Sequence, residues 1–135
     1  MSRKPLILAP HGGRRYPMGR MEAVFKADGE ETAGACSVSE WWLEPNTGGP
    51  PVHDHPEDHV FYVIEGVMSL LIDGRWHEAP RGSYAVIPGG TPHSFENRSQ
   101  QRAGIISFNT PGGFEAQAQP IADWFARNPL GDASG

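Results

Sequence analysis

The sequence predicts an all-β domain, a small antiparallel sandwich or barrel with one short helix near its C-terminal end. Three observations predict it. About eight runs of β-branched, aromatic and apolar residues recur at spacings near ten residues, the rhythm of sandwiches and small barrels. Gly and Pro supply 30 of the 135 residues, enough to divide the chain into short elements joined by many turns. Only one segment, beyond residue 113, has the composition of a helix. With 38% apolar residues, four Trp and six Phe, a chain of this length can fill one core, so a single domain is expected.

The elements follow in order along the chain. Over residues 1–34 the pattern is weak. Leu6-Ile7-Leu8 is a short apolar run, residues 10–19 read as loop, and Met21 to Ala27 alternates faintly, so an N-terminal arm with one or two edge strands is expected there. Ala35 to Leu43 has strand composition, and the Pro- and Gly-rich run from Pro45 to Pro51 ends it in a long loop. His59 to Ile64 is a strand, Glu65-Gly66 a turn and Val67 to Ile72 a second strand. Asp73-Gly74 is the type I′ hairpin signal leading into Arg75-Trp76-His77. Ala79 to Gly82 turns the chain, Ser83 to Ile87 returns, Pro88 to Pro92 is a tight loop, and His93 to Asn97 and Ala103 to Asn109 are the last strands. Phe114 to Arg127 is the expected helix, interrupted near Pro120 because proline has no N–H to donate inside a helix. Residues 35–110 thus form the barrel and 111–135 a C-terminal helix and frayed tail.

The charge balance narrows the function classes. A net charge of −5 with no Lys/Arg run argues against a nucleic-acid partner, whose phosphates demand a basic face. Arg14-Arg15 is an isolated pair, expected in a solvated loop. No stretch approaches the roughly 18 apolar residues of a membrane span, and Met1 to Pro10 lacks both a sufficiently long apolar run and a cleavage pattern. A soluble, cytoplasmic protein without a membrane partner is expected. Cys36 is the single cysteine, so no intrachain disulfide forms, and its strand-like setting predicts a buried, inert thiol.

Histidines carry the functional signal. Of the six, at 11, 53, 55, 59, 77 and 93, three fall within His53-Asp-His55-Pro-Glu-Asp-His59. Side chains alternate faces along an extended chain, so His53 and His55 point the same way and two imidazoles can converge on one ion. A helical zinc motif of the His-Glu-x-x-His kind does not fit. Glu57 falls one place late, and Pro56 pushes His55 out of the α region. Taken alone, the cluster fits exposed loop histidines among Asp54, Glu57 and Asp58 equally well.

The block from His53 through Glu65-Gly66 resembles the first signature of the cupin family: Gly, five residues, His-x-His, three or four residues, Glu, six residues, Gly. Both His positions and both later gaps fit; His59 stands where that family has Glu, and Thr47 where it has the leading Gly. The second signature, Gly, five residues, Pro-x-Gly, two residues, His, three residues, Asn, is matched in full by Gly82, Pro88, Gly90, His93 and Asn97. The likeness runs from about Trp41 to Asn109.

The resemblance implies an antiparallel jelly-roll barrel, a double-stranded β-helix, around one divalent transition metal, with His53, His55, His59 and His93 as ligands. Imidazoles suit Fe, Cu, Ni and Zn, and Mn is also open. Exchange of Glu for His59 removes one negative charge, which favours anionic ligands at the ion. Alternatively His59 stands off the metal as a catalytic base, its ordinary pKa being near neutrality. Glu57 and Asp58 either orient a ligand imidazole or are plain exposed acids. Trp41, Phe61, Met68, Phe95 and Phe108 are expected to line an apolar cavity if the barrel alternation holds. His11 and His77 belong to neither signature and are read as surface residues. The implied activity is that of a metal-dependent dioxygenase similar to quercetinase-like cupins, acting on a small, anionic or enolisable substrate. The alternatives are a redox-silent isomerase or lyase on a carbonyl compound or sugar acid, or a non-catalytic small-molecule sensor. A homodimer paired through sheet edges, covering an open edge strand near the N-terminus, is expected.

Overall fold

The computed structural model describes residues 4–135, so the first three residues of the expected N-terminal arm lie outside the described residues. Nine strands form two antiparallel sheets: β1 Arg14–Met18, β2 Met21–Ala27, β3 Ser37–Leu43, β4 Asp58–Glu65, β5 Val67–Ile72, β6 Arg75–Pro80, β7 Tyr84–Ile87, β8 His93–Glu96 and β9 Ala103–Thr110. The larger sheet has the order β1-β2-β3-β9-β4-β7 and the smaller β6-β5-β8. A one-turn helix, α1 (Gly29–Thr32), joins β2 to β3, and a 3-10 turn at Phe114–Gln117 leads into α2 (Ala118–Arg127). The result is the jelly-roll barrel that the strand pattern and the resemblance led us to expect.

Local chemistry explains most boundaries. At the β5–β6 hairpin Asp73 and Gly74 both have positive φ, 50° and 81°, as a type I′ turn requires. Residues 14–18, read from sequence as loop, form β1. Pro17 is tolerated because β1 is an edge strand paired only with β2, where a missing N–H breaks no second ladder. Pro120 does not interrupt α2. It lies in the first turn, where backbone N–H groups have no intrahelical acceptor anyway. Cys36 is free but only half-buried, because it precedes β3 in the turn after α1.

The inner face of the larger sheet changes character along its strands. At one end Leu43, Val63, Ala103 and Ile105 are sealed into the core with Met21 and Met68. At the other the inward positions are Ser37, Ser39, His59, Ser107 and Asn109, all buried. Buried polar side chains must find partners, so the second end is either a hydrogen-bonded network or a site.

Two polar anchors hold the frame beyond the apolar end. Asn97, fully buried, donates from Nδ2 towards the carbonyls of Leu43, Glu44 and Gln101 and accepts from the Ser99 N–H and hydroxyl. Glu96 accepts from Arg98 and from the backbone and hydroxyl of Ser134, tying the tail back to the barrel. Burial pushes the Glu96 carboxyl up, but those hydrogen bonds and the Arg98 charge outweigh it and hold it below the ordinary 4.5.

Asn97→Ala strips several buried carbonyls of a donor and is expected to cost roughly 2–3 kcal/mol, read as a lower urea midpoint with unchanged slope. Because the folded Glu96 pKa lies below its unfolded value, its contribution to stability is complete above pH 4.5 and is lost as pH falls through the lowered value. Glu96→Gln is therefore expected to flatten the acid limb of the unfolding profile, and an unchanged limb would disprove that assignment.

Candidate metal centre

The site assembles where the two halves of the chain are stitched together. His53 and His93 form an isolated antiparallel bridge, His53 N–H to His93 O at 3.1 Å and His93 N–H to His53 O at 2.9 Å. Their rings lie 4.5 Å apart. His55 is fixed one step on, its carbonyl accepting from the Gly90 N–H at 2.8 Å. Gly89 lets the two loops close, since a Cβ there would lie 2.0 Å from the Pro56 carbonyl oxygen. Asp58 secures the same contact by accepting from the Gly89 N–H at 2.9 Å.

Each of these three imidazoles has its Nδ1 beside a backbone carbonyl: His53 at 2.8 Å from Pro51 O, His55 at 3.1 Å from Glu57 O and His93 at 2.8 Å from Thr91 O. A carbonyl only accepts, so Nδ1 carries the proton in all three and each Nε2 keeps its lone pair. The offered ligand atoms of His53, His55 and His93 lie within 4.8 Å of one another. His93 Nε2 is buried and has no hydrogen-bond partner. An orphaned acceptor facing two further acceptors is costly, and a cation resolves it. The donor set therefore fits a transition metal, and the carbonyls behind it are the outer-shell partners that fix ligand tautomer and aim. Glu57 adds to this, its Oε2 lying 3.4 Å from His55 Nδ1.

His59 lies beside this trio rather than within the mutually close set. It is 5% exposed, its Nδ1 is 2.9 Å from His55 Nε2, and its Nε2 is 2.6 Å from Ser107 Oγ. Burial, then the neighbouring His93, His55 and His53, pushes its pKa down to about 2. Burial likewise brings His93 down to about 4, against the Thr91 carbonyl, which pulls the other way. Both are neutral at physiological pH, the state that ligates. His11 and His77 are exposed and remote from the cluster.

Above the imidazoles opens a cavity of about 540 Å³. Trp41, Phe61 and Phe95 line it as expected. Met68 is buried in the core instead, and Phe108 points away because β9 turns its neighbours Ser107 and Asn109 inward. The sequence reading missed Phe114, Ile121, Trp124 and Phe125, which close one wall. Their signal was the i, i+3, i+4 spacing of Ile121, Trp124 and Phe125, a single helix face. Glu115 pins this wall by accepting from Ser37 Oγ and from the Gly29 N–H. Among the lining residues there is no Lys or Arg.

The family model for the Cupin_2 cupin domain matches residues 39–109. The chain belongs to the cupin family. Quercetin 2,3-dioxygenase from Bacillus subtilis (strain 168) is 33% identical over 110 residues, which are 80% of this cupin and 32% of that enzyme. The cupin therefore spans about a third of that relative's length. Among solved structures, the polyketide cyclase RemF from Streptomyces resistomycificus is 29% identical with a TM-score of 0.60, covering 67% of this chain and 65% of the cyclase. KdgF from Halomonas sp. shares the fold with a TM-score of 0.72 at 14% identity, over 84% of this chain and 99% of its own. Among the described residues, no helix is long and apolar enough to cross a membrane.

Zinc at a hundredfold excess over its Kd is expected to stabilise the fold by about 2.7 kcal/mol, read as a raised unfolding midpoint against an EDTA-treated sample. His93→Ala is expected to abolish that shift; an undiminished shift would place the ion elsewhere.

Proposed function

We propose that this cupin is a metal-dependent enzyme of dioxygenase type acting on a small, enolisable or anionic substrate that chelates the ion. The observation that carries the reading is the buried, orphaned Nε2 of His93 converging with His53 and His55, two imidazoles that with His59 line an aromatic-walled cavity. These three would hold the ion, with His59 as a fourth donor. A base with a pKa near 2 takes up protons poorly at neutral pH, so His59 serves as ligand rather than catalytic base. When bound, the metal supplies a Lewis acid and, if redox-active, a path to dioxygen.

The protein's own residues do the rest. Trp41, Phe61, Phe95 and Phe114 offer flat apolar surface to an unsaturated or aromatic substrate, and α2 with its 3-10 turn shields the cavity from water. With no cationic side chain in the lining, the ion is the one positive charge there for an acidic oxygen, which orients that oxygen towards the histidines.

A second reading, a redox-silent Lewis acid acting on a carbonyl compound, is supported by the likeness to the polyketide cyclase. Metal analysis of protein purified without added metal, together with oxygen uptake on a catechol or enol, separates the two. Iron or copper with oxygen consumption is expected. Zinc or nickel with substrate turnover and no oxygen consumption would replace the first reading by the second, and metal without turnover would leave a binding module.

We also propose that two copies pair over the outer face of β4 and β7, where Tyr62 lies opposite Tyr84 and Val60 opposite Val86. Tyr84 and Val86 are exposed on the edge strand β7 and Tyr62 beside them on β4, and a second copy would cover them. Light scattering is expected to give a dimer mass for the wild type and a monomer mass for Val86→Glu.

A further inference from the structure

Ser107 and Asn109 match no signature position, yet both are inward on β9, 1% exposed, in register with Phe61 and His59 of β4. Their side chains meet His59. Ser107 Oγ is 2.6 Å from His59 Nε2 and 3.3 Å from Asn109 Oδ1, and Asn109 Nδ2 lies 3.4 Å from His59 Nδ1. The arrangement reverses that of the other three histidines. Those donate Nδ1–H to a carbonyl and offer Nε2, whereas His59 has Nε2 engaged and turns Nδ1 to the cluster.

We infer that Ser107, backed by Asn109, is a positioning residue that makes His59 the fourth donor through Nδ1 instead of Nε2. The inference rests on the metal reading proposed above and adds to it which atom binds and what aims it. A neutral imidazole has one N–H for two nitrogens. If Nε2–H donates to Ser107 Oγ, the serine hydroxyl donates on to Asn109 Oδ1, and Nδ1 keeps a lone pair facing His55 Nε2 at 2.9 Å. Two imidazole nitrogens each about 2.0–2.1 Å from one ion are about 3 Å apart, so this spacing suits neighbours on a shared metal.

A hydroxyl is the group that serves both states of the site. Without an ion, the hydroxyl can turn to donate to Nε2 while His59 Nδ1–H donates to His55 Nε2. With an ion held at Nδ1, the ring proton would sit on Nε2 instead, exchanged through solvent, and the ring would be neutral in both states. A carboxylate at 107 would hold the proton on Nε2 permanently, and an alanine would leave a buried Nε2 bare. Serine permits the exchange without a change of charge in a buried position.

The test is nitrogen NMR of the full chain carrying ¹⁵N-histidine and loaded with ¹¹³Cd²⁺. The expected result is one-bond cadmium coupling at Nε2 of His53, His55 and His93 and at Nδ1 of His59. For Ser107→Ala we expect the first three couplings to persist, the His59 coupling to vanish, and cadmium affinity to fall about 10- to 100-fold. Ser107→Thr, which keeps the hydroxyl, is expected to restore the His59 coupling. Coupling at His59 Nε2, a His59 that stays uncoupled in the wild-type protein, or an unaltered His59 coupling in Ser107→Ala would each overturn the inference while leaving the three-histidine site standing. Absence of coupling at every histidine would overturn the metal reading and this inference together.

Discussion

The site depends on one short antiparallel bridge. Two backbone hydrogen bonds between His53 and His93 clamp the long loop after β3 onto the start of β8, 40 residues later. Everything else at this end of the barrel is arranged around that contact. It sets the two rings 4.5 Å apart, brings His55 over by the two-residue alternation of an extended chain, and lets Gly89 and Gly90 close against the His53–His55 segment. Without it, His53 and His55 would belong to an exposed loop and His93 would be a buried imidazole with an unmet acceptor.

That bridge also explains why the barrel tolerates so polar an interior. A buried face containing His59, His93, three serines and an asparagine would be a liability if its groups faced hydrocarbon. Instead the inner face is graded. The closed end is packed with Leu43, Val63, Met68, Ala103 and Ile105, supplying the burial that holds the sheets together. The open end is then free to carry polar groups that pair with one another or with an ion. Asn97 ties the end of β3 to the loop before β9, and Glu96 ties the C-terminal tail to β8.

Much of this was legible in the sequence because it is encoded by local periodicity and spacing. The Asp73-Gly74 hairpin, the β3-to-β4 loop and the five matched positions of the second signature are short-range patterns, and they predict strands and turns directly. What was not legible required knowledge of neighbours. Pro17 looked like loop because its tolerance depends on β1 being an edge. Phe108 was assigned to the cavity because the phase of β9 is visible only once Ser107 and Asn109 are seen to face inward. The wall made by Phe114, Ile121, Trp124 and Phe125 was hidden because a helix face in the sequence does not say what it covers. His59 was given a ligand's or a base's role from its position alone, and the burial that lowers its pKa is a property of the folded barrel.

The replacement of the family's glutamate by His59 has a consequence that extends into the cavity. On the reading proposed above, four neutral imidazoles would leave an M²⁺ ion its full charge, whereas a carboxylate ligand would cancel half of it. The cavity wall offers no Lys or Arg and one carboxylate, that of Glu57 beside His55, among mostly aromatic and apolar residues, so the positive potential would be concentrated at the floor. Such a field would order a ligand along one axis, with acidic oxygens down at the histidines and hydrocarbon up between Trp41, Phe95 and Phe114. A ligand with charge spread over its whole surface, such as a small polyhydroxy acid, would leave polar groups unpaired against those walls and lose affinity through desolvation. Discrimination on that reading would rest on the absence of Lys and Arg from the walls as much as on positive charge at the floor.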